Sequence, residues 1–457
     1  MRKESISILV LVCLLLMPLS VQAANVGGEF VSELRLPIKQ DEPVGNTTAT
    51  LGAKIAVDGE FGDLGDWKLT LDLSFDEKLN NFKSNIWKGD DTDQMGEAVT
   101  LELGEAYLNL YSVGYDALDF RLGKQHVDMG VGDGITTFHL IKPVAANFID
   151  ELQNTRAVTG VKVDGYPGDY HVELFLQPKV TPTKIGGAIA AVYEKTLTEA
   201  MMPMLDNMGE AHGVAFAHEF DLSCNPPAYK DDGLGWTLKA TTLVEDYDVS
   251  VIYQRGYVSS PMISDYDKQL VGFNPEKNVP IMQLQLEQGY LPLQKIGFTV
   301  EGAVGDVGVW SEVTYNIPKK GFFGEGFNNP LIPEEYKFTD ENYVTGLIGA
   351  DYFLENGVYI NGQLVRGFPQ EVTKNMINTY LVGNVSQDFL NNRLTLEGSM
   401  VYSFGEKGWI LLPEAVYQVN SNTKVMGRLA IPGGGEDSLF KKMGDLTQVL
   451  IGVSVGF

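Results

Sequence analysis

The chain is poor in cysteine, and this excludes two kinds of structure. Its 457 residues contain only Cys13 and Cys224. Cys13 lies in a segment that we expect to be removed during secretion, so a disulfide framework within the mature chain is excluded. A metal site built on cysteines is excluded for the same reason. Cys224 stands beside Asn225 and two prolines, and we interpret it as an inert loop residue.

Positive charge is also scarce, because 34 Lys and Arg residues face 60 Asp and Glu residues, for a net charge of −26. Binding to phosphates needs a basic surface, so nucleic acid is excluded as a partner. The acidity does not by itself indicate cation transport, since acidic loops would give the same total. The chain has no CxxCH haem-attachment motif and no pair of histidines at helical ligand spacing. We therefore expect no cofactor and no bound metal.

The longest apolar run, Ile6 to Leu19, follows Arg2 and Lys3 and precedes the small residue Ala23. A basic start, a short apolar core and a small residue at the end predict a secretory signal peptide over residues 1–23, cleaved after Ala23. Residues 24–457 would form the mature protein. Beyond residue 23 no apolar stretch reaches about 18 residues, so helical membrane spans are excluded.

Apolar and polar residues alternate with period two from one end of the chain to the other, which is typical of β-strands. In residues 67–75, for example, Trp67, Leu69 and Leu71 share one face, and the residues between them are polar. The pattern predicts about eighteen strands, within a range of 16 to 20. These strands cover 26–36, 49–60, 67–75, 99–111, 117–125, 156–164, 169–177, 235–243, 247–257, 293–304, 307–316, 343–354, 357–366, 377–388, 394–404, 408–418, 423–431 and 447–457.

Most of these strands have about 9 to 12 residues, the length that crosses a bilayer at a tilt. Short and long connectors alternate, as in outer-membrane barrels. The predicted fold is therefore all-β: a closed transmembrane antiparallel β-barrel with short periplasmic turns and long extracellular loops, integral to the bacterial outer membrane after secretion. Segments 212–222 and 279–290 fit either strands or hairpins within loops, and 187–206 fits a short helix.

The run from Val449 to Phe457 alternates in the same way and ends in phenylalanine. It resembles the C-terminal signal by which bacterial barrel proteins are recognised for assembly. The alternative is an ordinary strand that ends in phenylalanine by chance. The expected partners are the lipid bilayer with its lipopolysaccharide, the barrel assembly machinery acting through the strand that ends at Phe457, and small solutes.

Two neighbouring segments carry a family resemblance. Phe120–Gln125 and Met129–Gly134 resemble a strand followed by a Gly- and Asp-rich third outer loop in alginate-export-like porins and a related uncharacterised barrel family. In that family a proline and an Asp/Arg pair follow, and here Pro143, Asp150 and Arg156 stand at those places. Met129 stands where these families often have an aromatic residue. The resemblance implies a porin fold and says little about the solute.

The polar strand faces provide the candidate pore-lining residues, because side chains that face lipid must be apolar. Loop 126–155 has the length and the glycines to fold into the lumen, where we expect Arg121 to lie near a constriction. The alternatives are an exposed surface loop and a hydrated wall without selective role. Lys124 has the parity of the apolar face, so it would reach the lumen only if its strand ended before it. The candidates are Lys68, Asp72, Asp119, Arg121, Lys124, Asp133 and Glu397.

The sequence favours a porin-like channel for passive diffusion of small hydrophilic or charged solutes, and no enzyme activity. One alternative is a structural barrel that encloses a periplasmic partner such as an electron carrier. Another is a barrel-embedded hydrolase, for which His126 and Asp128 near Asp133 are the only suggestive grouping.

Overall fold

The fold is described from a computed structural model. The structure describes residues 24–38, 47–78, 99–114, 118–146, 149–151, 153–185, 209, 213–216, 233–275, 278–324, 338–436 and 438–457. The predicted signal peptide 1–23 and the predicted helix 187–206 lie outside these residues. Within them, no helix combines the length and the apolar composition needed to cross a membrane.

One sheet of 18 strands dominates the molecule. Each strand pairs antiparallel with the next one along the chain, and the last strand pairs with the first, so the sheet closes into a barrel. The barrel strands are β1 Asn25–Pro37, β2 Thr48–Glu60, β3 Gly65–Lys78, β4 Val99–Leu110, β5 Leu118–Gln125, β6 Val158–Gly165, β7 Tyr170–Gln177, β8 Gly235–Val244, β9 Tyr247–Tyr257, β10 Pro292–Val304, β11 Val307–Pro318, β12 Tyr343–Phe353, β13 Tyr359–Arg366, β14 Thr379–Phe389, β15 Leu394–Ser403, β16 Gly408–Gln418, β17 Thr423–Gly434 and β18 Gln448–Gly456.

The two faces of the sheet have opposite chemistry. On β11, Val313 is 53% exposed, whereas Glu312 and Thr314 on either side of it are fully buried. The same alternation recurs on β10, where Phe298 is exposed and Thr299 is buried. Apolar side chains on the outer face and polar ones on the inner face are the arrangement of a barrel with lipid outside. The predicted fold class and strand number are confirmed.

The connectors differ between the two ends of the barrel. At one end, the turn end, they have two to seven residues, and at the other, the loop end, they have four to 57. The two-residue turn after β10 places Gly305 at φ 63°, a left-handed conformation in which glycine meets no steric penalty. The loop end includes one short connector, 404–407, so long loops are the rule there but not without exception.

Two further sheets lie outside the barrel wall. Met262–Asn274 and Val279–Gly289 form a hairpin within the connector between β9 and β10, and Ala215–Phe216 pairs parallel with its second strand. Segment 279–290 is thus a hairpin strand in a loop, one of the two arrangements that its sequence allowed. Of segment 212–222 only 213–216 is described. The second small sheet joins Ala145–Ala146 and Lys184–Ile185 in parallel.

Candidate functional site

The connector between β5 and β6, residues 126–157, contacts the inner face of the barrel, and its turn at 131–137 encloses one wall carboxylate. Glu312 of β11 is fully buried and accepts hydrogen bonds from the backbone N–H groups of Val131 (2.7 Å), Gly132 (2.9 Å) and Thr137 (2.7 Å). The hydroxyls of Thr136 and Thr137 donate to the same carboxylate at 2.7 to 3.0 Å. Hydrogen bonds to an ionised acceptor are about twice as strong as neutral ones. We call this set of contacts the Glu312 clasp.

The glycine at the start of the turn is required by the close approach of the wall. A Cβ atom on Gly130 would lie 1.9 Å from Oγ1 of Thr136 and 2.3 Å from Oε1 of Glu312. Real Cβ atoms do not approach so closely, so any side chain here would push the turn away from the carboxylate. Gly130, in the Gly-rich segment 129–134, is therefore needed for the clasp.

A buried lysine holds the turn from the neighbouring strand. Lys295 of β10 is 1% exposed, and its ammonium donates to the carbonyl oxygen of Thr137 at 2.7 Å. The same ammonium lies 3.4 Å from Nδ1 of His139, a buried residue of the loop. Burial, and then the nearby Lys295 ammonium, hold the pKa of His139 well below its ordinary value. The imidazole is consequently neutral when the loop is docked.

A second contact fixes the loop against β13. The side-chain amide of Gln363 accepts from the backbone N–H of Asp133 (3.1 Å) and donates to its carbonyl oxygen (2.6 Å). Asn361 donates to the Asp133 carboxylate at 2.8 Å, and Trp310 donates to Gln363 at 2.9 Å. Asp133, a predicted pore-lining residue, therefore has its carboxylate held by the wall.

The far end of the connector is tied to another part of the ring. Asp150 is buried, and its carboxylate lies 2.8 Å from the guanidinium of Arg35 on β1 and 3.3 Å from that of Arg428 on β17. Glu151 binds the same Arg35 at 2.6 Å, and Gln448 of β18 donates to Asp150 at 3.4 Å. The loop is thus anchored to strands β9–β13 and also to β17, β18 and β1.

Apolar contacts fill the space between these anchors. Met129 and Phe138 are fully buried against Phe175 of β7 and Ile252 of β9. Ile135 packs on Leu347 and other inner-face residues of β12 to β14. Met129 takes the place where the resembled family often has an aromatic residue, and it belongs to the packed interior. These contacts pack the described part of the loop against the inner wall.

Below the loop, towards the turn end, the wall forms an acidic cavity of about 310 Å³. Asp248, Glu301 and Asp351 project from β9, β10 and β12, and Asp246 joins them from the adjacent turn. Val131 of the loop and Trp310 of β11 complete the lining. Four carboxylates therefore line this cavity.

The predicted residue Arg121 lies on the inner face, but its partners are on the neighbouring strand. It donates to Asn109 at 2.7 Å and stacks over the Tyr107 ring at 4.6 Å. Asp119, nearer the turn end, accepts from the backbone N–H of Ser112 at 2.9 Å. Both side chains lie on strand positions that face the lumen, and the partners described for them are not residues of the 126–157 connector.

Lys68 and Asp72 also face inwards, from β3. Lys68 pairs with Glu105 of β4 at 2.7 Å, and Asp72 stands directly opposite Glu102 of that strand. Strand β5 continues to Gln125, so the backbone of Lys124 keeps the parity of the apolar face. Its ammonium nevertheless lies 4.0 Å from the inner-face carboxylate of Glu102.

Glu102 collects cations from three segments. Besides Lys124, it pairs with Arg156 at 2.8 Å and with Lys184 at 3.4 Å. Arg156 therefore does not pair with Asp150, the acidic member of the Asp/Arg pair that the resemblance implies. The two residues contact different strands, Arg156 through Glu102 of β4 and Asp150 through Arg35 of β1 and Arg428 of β17.

Glu397, on the inner face of β15, accepts from Asn384 at 2.6 Å and from Ser399 at 3.3 Å. The structure thus distributes the predicted residues around the wall and does not gather them into one site. The residues that hold the loop, Glu312, Lys295 and Arg35, were not among the candidates. Their only signal in the sequence is a charged residue at inner-face parity within a predicted strand.

The suggested hydrolase grouping is not brought together. His126 lies 3.4 Å from the Thr155 hydroxyl, whereas Asp128 pairs with Lys142 and Asp133 with Asn361. Each of the three side chains therefore has a different partner.

Among the described residues, Asp164, His171 and Glu173 form one group whose ligand atoms lie within 4.8 Å of one another. The Lys162 ammonium lies 3.0 Å from Asp164 and 2.8 Å from Glu173. The lysine already neutralises charge in this group, so the carboxylates are satisfied without a metal ion.

No protein-family model and no curated protein matches the chain. Solved structures that it resembles include two mutants of the Rh. blastica porin, each 10% identical over 95% of this chain and 100% of the other, with TM-scores of 0.41 and 0.40. A third solved structure comes from work on the asymmetric conductivity of engineered proteins. It is 10% identical to this chain, with the same coverage and a TM-score of 0.39. The strand pairing shows the closed barrel, and the resemblance to alginate-export-like porins stays a prediction.

Proposed function

We propose that the protein is an outer-membrane channel through which small hydrophilic or charged solutes diffuse down their own gradients. The observation that carries this proposal is the closed 18-strand ring with apolar residues exposed outside and polar residues inside. A barrel of this size encloses an aqueous lumen. Passive diffusion requires no catalytic group and no cofactor.

We further propose that the connector 126–157 is the constriction. It is fixed to the inner face at the Glu312 clasp and at Asp150, which lie on separated parts of the ring. A segment that runs between such anchors reduces the open cross-section. Residues at its edges, together with Arg121 and the acidic cavity, would then set which ions pass.

The orientation follows from the connectors. In outer-membrane barrels the short turns face the periplasm and the long loops face outwards. We propose the same orientation here, after secretion with a signal peptide cleaved after Ala23. The strand that ends at Phe457 would be recognised by the assembly machinery, and the exposed apolar residues of the outer face would contact lipid and lipopolysaccharide.

Single-channel recording of the detergent-purified protein in a planar bilayer tests the proposal. We expect discrete conductance steps in potassium chloride, and liposome swelling with small sugars that declines as the sugar grows. Heat-denatured protein is the control. Absence of conductance and of swelling, from protein whose circular dichroism shows sheet, would contradict the channel and favour a barrel that encloses a partner.

A further inference from the structure

The Glu312 clasp buries a carboxylate that the wall itself does not satisfy. All six hydrogen bonds described for its two oxygens come from residues 131–137 of the loop. Hydrogen bonds to a charged group give a larger net stabilisation, relative to the bonds that water would make, than neutral hydrogen bonds do. Loss of these six hydrogen bonds therefore opposes any movement of the loop away from β11, and this one side chain positions the loop.

Next to the clasp, the loop also buries a group that changes charge near neutral pH. Nδ1 of His139 lies 3.4 Å from the Lys295 ammonium, which has donors only, so the contact is a hydrogen bond only while that nitrogen is unprotonated. The charged groups of the wall that face this position are Lys295 of β10 and, through Thr137, Glu312 of β11. The neighbouring side chain of β9 is Gln254, which is uncharged and donates to the Phe138 carbonyl at 3.3 Å.

We propose that Glu312 is the positioning residue that holds the loop across the lumen, and that the His139–Lys295 contact makes this docking weaken in acid. The proposal rests on the proposed function only where it predicts conductance. Protonation of His139 would place an imidazolium beside the Lys295 ammonium, with both groups buried between the loop and β10. Release of the loop separates the two charges and returns both to water.

The sign of the pH dependence follows from linkage. Burial and Lys295 lower the pKa of His139 in the docked loop, whereas a released loop has an ordinary histidine near pKa 6.5. The docked state then binds fewer protons, so docking is strongest above about pH 6.5 and weakens as the pH falls below it. For one proton, the equilibrium constant for release rises by up to about tenfold per pH unit.

Single-channel recording between pH 7.5 and pH 5 measures this directly. We expect wild-type channels to visit a larger conductance level more often as the pH falls. In His139→Gln the side chain stays polar but does not titrate, so the occupancy of that level should be flat over this range. In Glu312→Gln the side-chain NH2 group, which cannot accept a hydrogen bond, would face N–H donors of the loop. We therefore expect the larger conductance level to be at least about tenfold more frequent at pH 7.5 than in wild type.

Two further variants control for charge and for folding. Asp388→Asn removes a carboxylate from the inner face of β14, where it accepts from the Thr395 hydroxyl at 2.6 Å, and it should retain the wild-type pH response. Thr137→Val leaves every barrel strand unchanged and removes only the hydroxyl bonds to Glu312 (2.7 Å) and Thr314 (2.6 Å). It should loosen the loop even if Glu312→Gln fails to assemble.

Hydrogen exchange provides a readout that needs no conductance. The amides of Val131, Gly132 and Thr137 should be protected at pH 7.5 and lose protection in acid, after correction for intrinsic rates, in wild type but not in His139→Gln. Unprotected amides at pH 7.5, or a pH response that survives in His139→Gln, would overturn the proposal. A silent bilayer with the expected exchange pattern would instead overturn the channel and leave the clasp standing.

Discussion

Arg35 and Asp150 form a buried ion pair that joins the far end of the loop to the wall, with side-chain exposures of 5% and 2%. We expect Arg35→Met to lower the free energy of unfolding by about 3 kcal/mol, because Asp150 stays buried and, among the residues that the structure describes, keeps only Arg428 as a cationic partner. Equilibrium urea titration in detergent measures this value.

The double variant Arg35→Met/Asp150→Leu is the control for that prediction. It removes both charges, and Arg428 still contacts Glu414. Replacement of a buried pair by apolar residues is often close to neutral, so the double variant should recover most of the loss. A double variant that is less stable than Arg35→Met would contradict this account.

Arg121 allows a test of selectivity with a matched charge control. Its guanidinium lies on the inner face over Tyr107, so Arg121→Ala removes one positive charge from the wall of the lumen. We expect cation preference to rise roughly twofold, the effect of about 0.4 kcal/mol on a passing ion. The reversal potential under a salt gradient reports it. Arg121→Lys should match wild type, and equal values for the alanine and lysine variants would remove Arg121 from the selective residues.

The limit of sequence reasoning at single residues is visible at Glu312. Alternation along 307–316 places this side chain on the polar face, and the structure has it there. The donor Thr137, however, lies 175 residues away along the chain. Local periodicity contains no information about such a partner. The same holds for Lys295, whose loop partners are more than 150 residues distant.

Strands are the elements for which sequence reasoning worked best. The segment predicted at 247–257 forms β9 at Tyr247–Tyr257, and 408–418 forms β16 at Gly408–Gln418. Period-two alternation is a local property that each strand carries by itself. The hairpin strand Val279–Gly289 alternates equally well but lies outside the ring, because membership in the barrel depends on which strand it pairs with.

The pairing of β18 with β1 closes the ring, and Gly28 of β1 is the most crowded glycine in these two strands. A Cβ there would lie 2.6 Å from the carbonyl oxygen of Lys54 and 2.4 Å from the Phe457 ring. We expect Gly28→Ala to lower the free energy of unfolding by about 1 to 3 kcal/mol through overpacking. It should also reduce the fraction that migrates as folded protein on unheated gels.

Gly27→Ala is the neighbouring control. The nearest atom to its Cβ would be the Phe457 carbonyl oxygen at 3.5 Å, an ordinary contact. This variant should assemble as wild type does. If the two variants behaved alike, the close approach at Gly28 would not limit closure of the barrel.

At the scale of the whole molecule, the position of the loop depends on the closed ring, because the loop is attached to strands that only the ring brings to face one another. The clasp on β11 and the ion pairs on β1 and β17 attach the loop to distant parts of the same wall. The sequence predicts a ring because every strand needs two neighbours in lipid. It does not predict which wall positions the loop takes, since these depend on the curvature that all 18 strands produce together. The inward course of the loop as a functional constriction stays a prediction.

The charge of the whole molecule leads to a prediction about selectivity. Carboxylates outnumber basic groups by 60 to 34, and four of them line the cavity beside the loop. Fixed charge acts on passing ions over about one Debye length, which is about 10 Å at 0.1 M salt and about 3 Å at 1 M. We expect potassium to be preferred over chloride in a gradient around 0.1 M, and the preference to fall towards the ratio of the free mobilities near 1 M.

Glu301→Gln should reduce the preference in dilute salt and have little effect in concentrated salt. Chloride preference in dilute salt would show that the basic residues of the inner wall, and not the acidic cavity, control the ions that pass.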